Sequence, residues 1–463
     1  MIQYMILNQV QGTKKEFDIA SFGAKGDGQQ DNSSSFASAL GILRDTGGGT
    51  LRVGRGIWRT GPVELFSYTS LQLDEGAIIS FIPEPERYPP VYSRWEGVEC
   101  YCMHPLIFSS GQHHLGIGGK GRIEGAGSVW WDMLREKRKQ GQKGPETPVE
   151  KRFAALNPEY PSQPSGGGGR CIQFLRPPLV QFYKCTNVLI EGVTLKDSPF
   201  WTLHPVFCEN LTIRDIAITN PADAPNTDGI DIDSCRNVLI DGCRIGVGDD
   251  GICLKSGSGD NGIRANKPTS NITVRNCTVQ DGHGGIVIGS ETAAGIFDVI
   301  AEDCIFKGTD RGIRIKTRRG RGGQIRDLCF RNLVMEDNLC PIAINMFYRP
   351  GALLSDGLFS LESRPVTAAT PVIKNISISD IRATGCKASA GFIAGLPESP
   401  IENLSISGSD FSTDERSPVT PDESDMFLGL PPVQEKSFRI LNAKEPVFSG
   451  VTIRGPREAF IYR

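Results

Sequence analysis

The chain has 463 residues, 54 of them glycine, with 22% charged residues and a formal charge of −3. That length can bury a large core, and the glycine content favours a turn-rich β architecture over a helical bundle or a disordered chain. The near-neutral charge excludes general binding to nucleic acid or anionic membranes and leaves room only for a local basic cleft.

Met1 to Val10 is apolar but short, lacks a basic leader and a small-residue cleavage site, and runs into Lys14-Lys15-Glu16. It does not read as a signal peptide, and no apolar run reaches membrane-spanning length. Phe17-Asp18-Ile19 to Gly28 reads as a strand followed by a Gly-rich turn. Asp31 to Arg44 carries Phe36, Ala39, Leu40 and Leu43 at helical spacing, with Asn32 or Ser33 as its cap. A helix there covers the open end of a coil, as terminal repeats require. Trp130 to Gly169 is charged and rich in Pro and Gly, and reads as a long surface insertion with Gly166 to Gly169 as its flexible end.

From about Cys185 to Met335 one pattern recurs: a polar residue, Asn, alternating apolar residues, a charged or Gly turn, and a second short alternating run. Its copies include C-T-N-V-L-I-E-G-V-T-L from Cys185, C-E-N-L-T-I-R-D-I-A-I from Cys208 and C-R-N-V-L-I-D-G-C-R-I from Cys235. Others open at Ser270 and Gln324, and shorter echoes follow near Asn375 and Asn403. Asn187, Asn210 and Asn237 recur roughly every two dozen residues, within the solenoid range. Period-two alternation rich in β-branched residues means short, half-buried strands. Strands this short cannot bury a face alone, so the chain must coil and stack each strand on its equivalent in the next turn. Asn at a fixed turn position suits left-handed backbone, and stacked Asn side chains bond along the coil. A leucine-rich repeat shares the period, but its L-x-x-L-x-L spacing is absent.

The thirteen cysteines have no close-set metal spacing. Cys185, Cys208, Cys235, Cys243, Cys277 and Cys304 track the repeat, which predicts stacked, reduced, buried thiols ahead of a disulfide framework. Thiols and the lack of a leader together predict a cytoplasmic protein. The expected fold is all-β, a single-stranded parallel β-helix with an N-terminal capping helix. It forms one domain over 1–463, with strand and cap helix at 17–60, the insertion at 130–169, central coils at 185–335 and C-terminal coils at 336–463. The Pro-, Ser- and Asp-rich stretch near Glu415 to Asp425 is its least legible part.

Four polar clusters fall on successive repeats: P-N-T-D-G-I-D (Pro225 to Asp231), G-D-D-G (Gly248 to Gly251), G-H-G-G (Gly282 to Gly285) and R-I-K (Arg314 to Lys316). Asp228 to Asp249 spans roughly one coil, so stacking makes these acids vertical neighbours. The steps to His283 and Arg314 are each longer by a loop, such as Ser256 to Pro268. One face thus gathers Asp228, Asp249, Asp250, an imidazole and two cations. Hydrolysis of a sugar acetal needs one carboxylic acid to protonate the leaving oxygen and one carboxylate to activate water. Crowded carboxylates are expected to raise one another's pKa and keep one protonated, while Arg and Lys alongside suit an anionic sugar. Alone, an Asp-Asp pair is usually a turn, a His between glycines a turn residue, and R-I-K a solvated strand face. Their order, one cluster per coil, is what points to a site.

In that order the motifs resemble those of glycoside hydrolase family 28, the polygalacturonases, and the similarity runs from about Phe17 into the C-terminal coils. The resemblance implies a right-handed parallel β-helix that hydrolyses α-1,4 galacturonic acid linkages with inversion. By motif position it makes Asp249 the general acid and Asp228 with Asp250 the pair that holds and activates water. His283 tunes the acid and touches substrate, and Arg314 and Lys316 grip the uronate carboxylate. Tyr348 lies at a suitable distance for the family's substrate-contacting Tyr. Gly248 departs from the Gln that many members carry before the paired acids, which touches the acid's neighbourhood and an assignment to the plain endo type. Rhamnogalacturonan-cleaving relatives generally depart from G-H-G and R-I-K, both kept here.

The segment Ser198 to Pro205 and the G-S-E containing Ser290 and Glu291 are similar to bacterial exopolygalacturonases. That similarity implies exo action from the non-reducing end of an oligogalacturonide or pectic chain, with Trp201, His204 and Glu291 at the substrate; separately, the length of the 130–169 insertion suits it to wall off one end of a groove. A cytoplasmic address agrees with trimming imported oligomers. No metal or other cofactor is implied. The alternatives are an endo-acting or rhamnogalacturonan-type hydrolase, a calcium-dependent pectate lyase on a similar β-helix, and a non-catalytic carbohydrate-binding solenoid.

Overall fold

The computed structural model describes residues 15–164, 166–352, 357–424 and 430–462. Met1 to Val10 and Asp425 lie outside the described residues. The chain divides into two compact units built from the same coil of three short strands.

The first unit comprises Met1–Trp95, Glu99–Asp231 and Cys235–Arg244. One column of parallel strands stacks Gly49–Val53, Thr69–Leu73, His113–Gly119, Thr186–Glu191, Glu209–Arg214 and Arg236–Asp241. A second stacks Gly56–Thr60, Ala77–Phe81, Arg122–Glu124, Thr194–Lys196 and Ala217–Thr219. The third holds Val63–Glu64, Ile107–Ser110, Val180–Tyr183 and Leu203–Val206. Equivalent residues meet in register, so Leu71, Ile117, Ile190, Ile213 and Ile240 form one buried line. Burying each such side chain contributes about 1.5–3 kcal/mol, and no coil achieves it without a neighbour.

The ladders expected along the coil are present. Asn187, Asn210 and Asn237 adopt left-handed φ of 56°, 60° and 57°. The Asn210 amide donates to Asn187 Oδ1 at 3.1 Å, and that of Asn237 to Asn210 Oδ1 at 2.9 Å. Cysteines stack beside them: the N–H of Cys185 donates to Cys208 Sγ at 3.3 Å and that of Cys208 to Cys235 Sγ at 3.2 Å. No disulfide occurs among the described residues.

Helix α1, Ser33–Asp45, buries Phe36, Ala39, Leu40 and Leu43 against the first strands of its unit. Its expected side-chain cap is not made. Asn32 occupies the cap position, but its buried amide bonds the carbonyls of Lys25, Gln30 and Arg59, so it ties the preceding turn instead.

The 130–169 segment is not the loop its composition suggested. It holds α2, Gly127–Lys139, and α3, Pro148–Leu156. Trp130, Trp131, Leu134 and Phe153 are buried, and the Trp131 indole donates to the Ser198 carbonyl at 3.0 Å. Helix α3 opens on a capping box between Thr147 and Glu150, and Glu150 also pairs with Lys137 of α2 at 2.5 Å. A buried aromatic stripe thus outweighs the flanking Pro and Gly. A two-stranded ribbon, Pro90–Trp95 with Val98–Met103, was also not anticipated from the sequence.

The second unit comprises Glu96–Val98, Ile232–Ser234 and Ile245–Arg463. Its first column runs from Thr269–Arg275 through Ile296–Glu302, Gln324–Glu336 and Val372–Cys386 to Ile401–Ser407. The asparagine ladder resumes here, with Asn375 donating to Asp327 at 2.8 Å and Asn403 to Asn375 at 2.9 Å. Another column stacks Asp250–Lys255, Gly284–Gly289, Arg311–Lys316, Cys340–Asn345, Gly391–Ala394, Phe438–Leu441 and Phe460–Tyr462. No helix among the described residues is long and apolar enough to cross a membrane.

Candidate active site

Three of the four motif clusters occupy consecutive strands of that last column. Asp250 pairs with Gly284, Val287 with Arg314 and Gly289 with Lys316. Alternation sends Ile313 and Ile315 into the core, so Arg314 and Lys316 leave the strand together on its other face.

Both cations converge on Asp250. Arg314 Nη1 donates to Oδ1 at 2.8 Å and Lys316 Nζ to Oδ2 at 2.5 Å, and all three side chains are buried. Burial alone would raise the Asp250 carboxyl. Lys316, Arg314, Lys255 and His283 together override it and hold the group well below the usual carboxylate range. Burial likewise works against the two cations, and the Asp250 charge reverses it, so both are held more firmly protonated than usual. The expectation that crowded acids raise one another therefore fails at Asp250, because the nearest charges are positive. Arg314 and Lys316 are also not waiting empty for a uronate. They are engaged with Asp250 and meet any further anion through their remaining N–H groups.

Asp249 differs. Its side chain is 19% exposed and accepts from the Asp250 N–H at 3.0 Å and from His283 Nδ1 at 3.1 Å. The G-H-G turn makes that contact possible. Gly282 has φ +78°, and a Cβ there would lie 2.3 Å from the Asp249 carbonyl oxygen. Only glycine allows the approach, which brings the following His283 N–H to the same carbonyl at 2.9 Å. The hydrogen bond to Asp249 raises the His283 pKa; burial opposes it, and the Asp249 and Asp250 charges add to the rise. The imidazole remains 49% exposed, so it can face a ligand.

Tyr348 lies beside the same two cations. Its ring centre is 5.7 Å from the Arg314 guanidinium and 5.2 Å from Lys316 Nζ. Glu291 is placed differently from expectation. It is buried, 3.4 Å from Lys255 Nζ and 3.9 Å from Arg321 Nη1. Burial pushes its carboxyl up, but Lys255, Arg321 and Lys316 bring it below its ordinary range. It is a counter-ion inside the second unit, and Gly97 seats against its side chain.

The remaining predicted residues belong to the first unit. Asp228 is buried, and its carbonyl accepts from the Thr202 N–H at 2.8 Å. Trp201 and His204 are buried too, with ring centres 4.7 Å apart and nearly perpendicular. The Gln181 amide donates to His204 Nδ1 at 2.8 Å, and Trp201 stacks on Phe200. Both sit in aromatic packing rather than on an open surface, because the S-P-F-W segment brings successive rings together. Sequence reading passed over Lys255, Arg321 and Arg176. All three are buried cations; Lys255 and Arg176 stand in otherwise apolar runs, which is the signal that marks them, whereas Arg321 lies in the basic run Arg318 to Gly323 and carries no such signal.

Residues 172–419 match the glycosyl hydrolases family 28. A probable polygalacturonase of Vitis vinifera is 31% identical over 399 residues, covering 84% of this chain and 72% of the relative. The chain belongs to glycosyl hydrolase family 28. A solved structure titled as a hyperthermoactive exopolygalacturonase from Thermotoga maritima is 32% identical, with a TM-score of 0.76 over 97% of this chain and 96% of that one. A family 28 exopolygalacturonase of Yersinia enterocolitica, 19% identical with a TM-score of 0.72 over 97% of this chain and 77% of that one, shares the fold. The family 28 chain is thus a glycoside hydrolase with the parallel β-helix its repeat predicted and the right-handed coil that the family resemblance implied.

Proposed function

We propose that this family 28 hydrolase cleaves α-1,4 galacturonic acid linkages in pectic oligomers, with inversion, one residue at a time from the non-reducing end. The observation that carries the chemistry is the asymmetry of the adjacent acids. Asp250 is buried and fixed as an anion by two cations, whereas Asp249 is partly open and bonded to an exposed imidazole. An inverting glycosidase needs that division, an acid facing the leaving oxygen and a separate carboxylate for water. Asp249 takes the first role. Asp250 takes the second, with Asp228 joining it as its motif implies. Arg314 and Lys316, held beside Tyr348, supply donors for a uronate carboxylate.

A calcium-dependent lyase fits less well. Both Asp250 oxygens already carry a cation, so a divalent ion there would meet two positive charges at contact distance. Exo action is supported by the likeness to the Thermotoga exopolygalacturonase. The stack of free, buried thiols, in which the Cys208 and Cys235 sulfurs each accept from a backbone N–H, supports a reducing, cytoplasmic address.

Chromatography of timed digests of a single-length oligogalacturonide tests the reading. The first products should be monomer and a chain shorter by one, and Asp249→Asn should slow both about 10²–10⁴-fold. Mixed mid-chain fragments at the earliest times would exclude exo action, and near-normal turnover by Asp249→Asn would exclude its role as acid.

A further inference from the structure

We infer that Arg176, outside all four motifs, is the positioning residue that fixes Asp228 for the reaction. The inference rests on the function proposed above. Asp228 sits on the turn P-N-T-D, and the place of its carboxylate is set by the backbone of that turn. Arg176 is fully buried and holds the turn from the side. Its Nη1 donates to the Pro225 carbonyl and to the Pro199 carbonyl, both at 2.9 Å, and Nη2 donates to Asn226 Oδ1 at 2.8 Å.

The guanidinium is itself held. It lies 5.1 Å from the centre of the Phe200 ring, which stacks on Trp95 at 4.7 Å and 11°. The Trp95 indole donates back to the Arg176 carbonyl at 3.0 Å, and Arg170 covers the Trp95 ring. Asn226, the acceptor, has a left-handed φ of 57°, a conformation that costs most residues energy and needs outside support. On the far side, Thr202 N–H closes on the Asp228 carbonyl. The turn is therefore fixed from both ends, and the planar fork of Arg176 makes three bonds in one geometry that an ammonium cannot copy.

If the clamp sets the carboxylate, loosening it costs rate and not affinity. Misplacement by about 1 Å is enough to lower a rate about 10²-fold. The test is Arg176→Lys, Asn226→Gly, which keeps the left-handed turn and removes only the acceptor, and the double variant in the full-length enzyme, each with kcat, KM, a thermal melt and a crystal structure. We expect a kcat lower by about 10–10²-fold with KM changed less than about threefold. The double variant should be no slower than Arg176→Lys alone, because both substitutions cut the same link. The crystal structure should show the Asp228 carboxylate displaced. An unmoved carboxylate overturns the proposal whatever the activity. So does wild-type kcat in a folded Arg176→Lys, or losses that multiply in the double variant. If Arg176→Lys does not fold, Asn226→Gly decides through the same displacement and kcat. A wild-type enzyme inert on oligogalacturonide would refute the proposed function separately, and the crystallographic displacement would still judge the clamp.

Discussion

At the scale of single residues, the motifs were legible in the sequence because each coil repeats the same spacing, so a cluster's place in the chain gives its place on the column. The electrostatics were not. Asp250 and Asp249 are adjacent in sequence and look alike there, yet one is enclosed by Arg314 and Lys316 and the other faces His283. Burial and partner identity decide that difference, and the partners lie 34 positions away for Asp249 and 64 and 66 positions away for Asp250. The ion pairing of Glu291 was hidden for the same reason, its partners Lys255 and Arg321 being distant in sequence.

The Asp250 environment has a measurable consequence. Its folded pKa lies below its unfolded value of about 3.9, so the stability it contributes is present above that value and is lost as pH falls through the folded pKa. Replacing it by Asn leaves two buried cations without their shared carboxylate, a loss of about 3–5 kcal/mol near neutrality. Thermal melts of wild type and Asp250→Asn should therefore differ by a constant amount above about pH 5 and converge as the solution is acidified below about pH 4. A difference that instead widens in acid would mean that Asp250 is not held as an anion.

At the scale of elements, the strands and α1 followed from periodicity, because period two and helical spacing are local properties. The helices of the insertion did not, although the signal was present. Thr147 to Glu150 is a capping box with Pro at the first helical turn, and Trp130 with Leu134 marks one face of α2. Charged and Pro-rich flanks masked them. The asparagine ladder is the element-level device most open to test. Asn210 supplies a left-handed turn and a bond to each neighbouring coil. Asn210→Ala should destabilise the protein by about 1–3 kcal/mol, and Asn210→Gly by about 1 kcal/mol less, since glycine keeps the turn and loses only the bonds. Equal melting temperatures for the two variants would show that left-handed geometry is not what the position requires.

At the scale of the whole molecule, repetition converts sequence order into spatial order, which is why the repeat anticipated the coil and four short motifs the family. The same logic carries the mechanism. In the proposed function, water held at Asp250 attacks the face opposite the leaving group that Asp249 protonates, and such attack inverts the sugar. Proton NMR of the first galacturonic acid released from a defined α-1,4 oligomer, recorded before mutarotation, reads this directly. The β anomer should appear first, and an α anomer in the earliest spectra would contradict a water-holding Asp250 and an acid at Asp249.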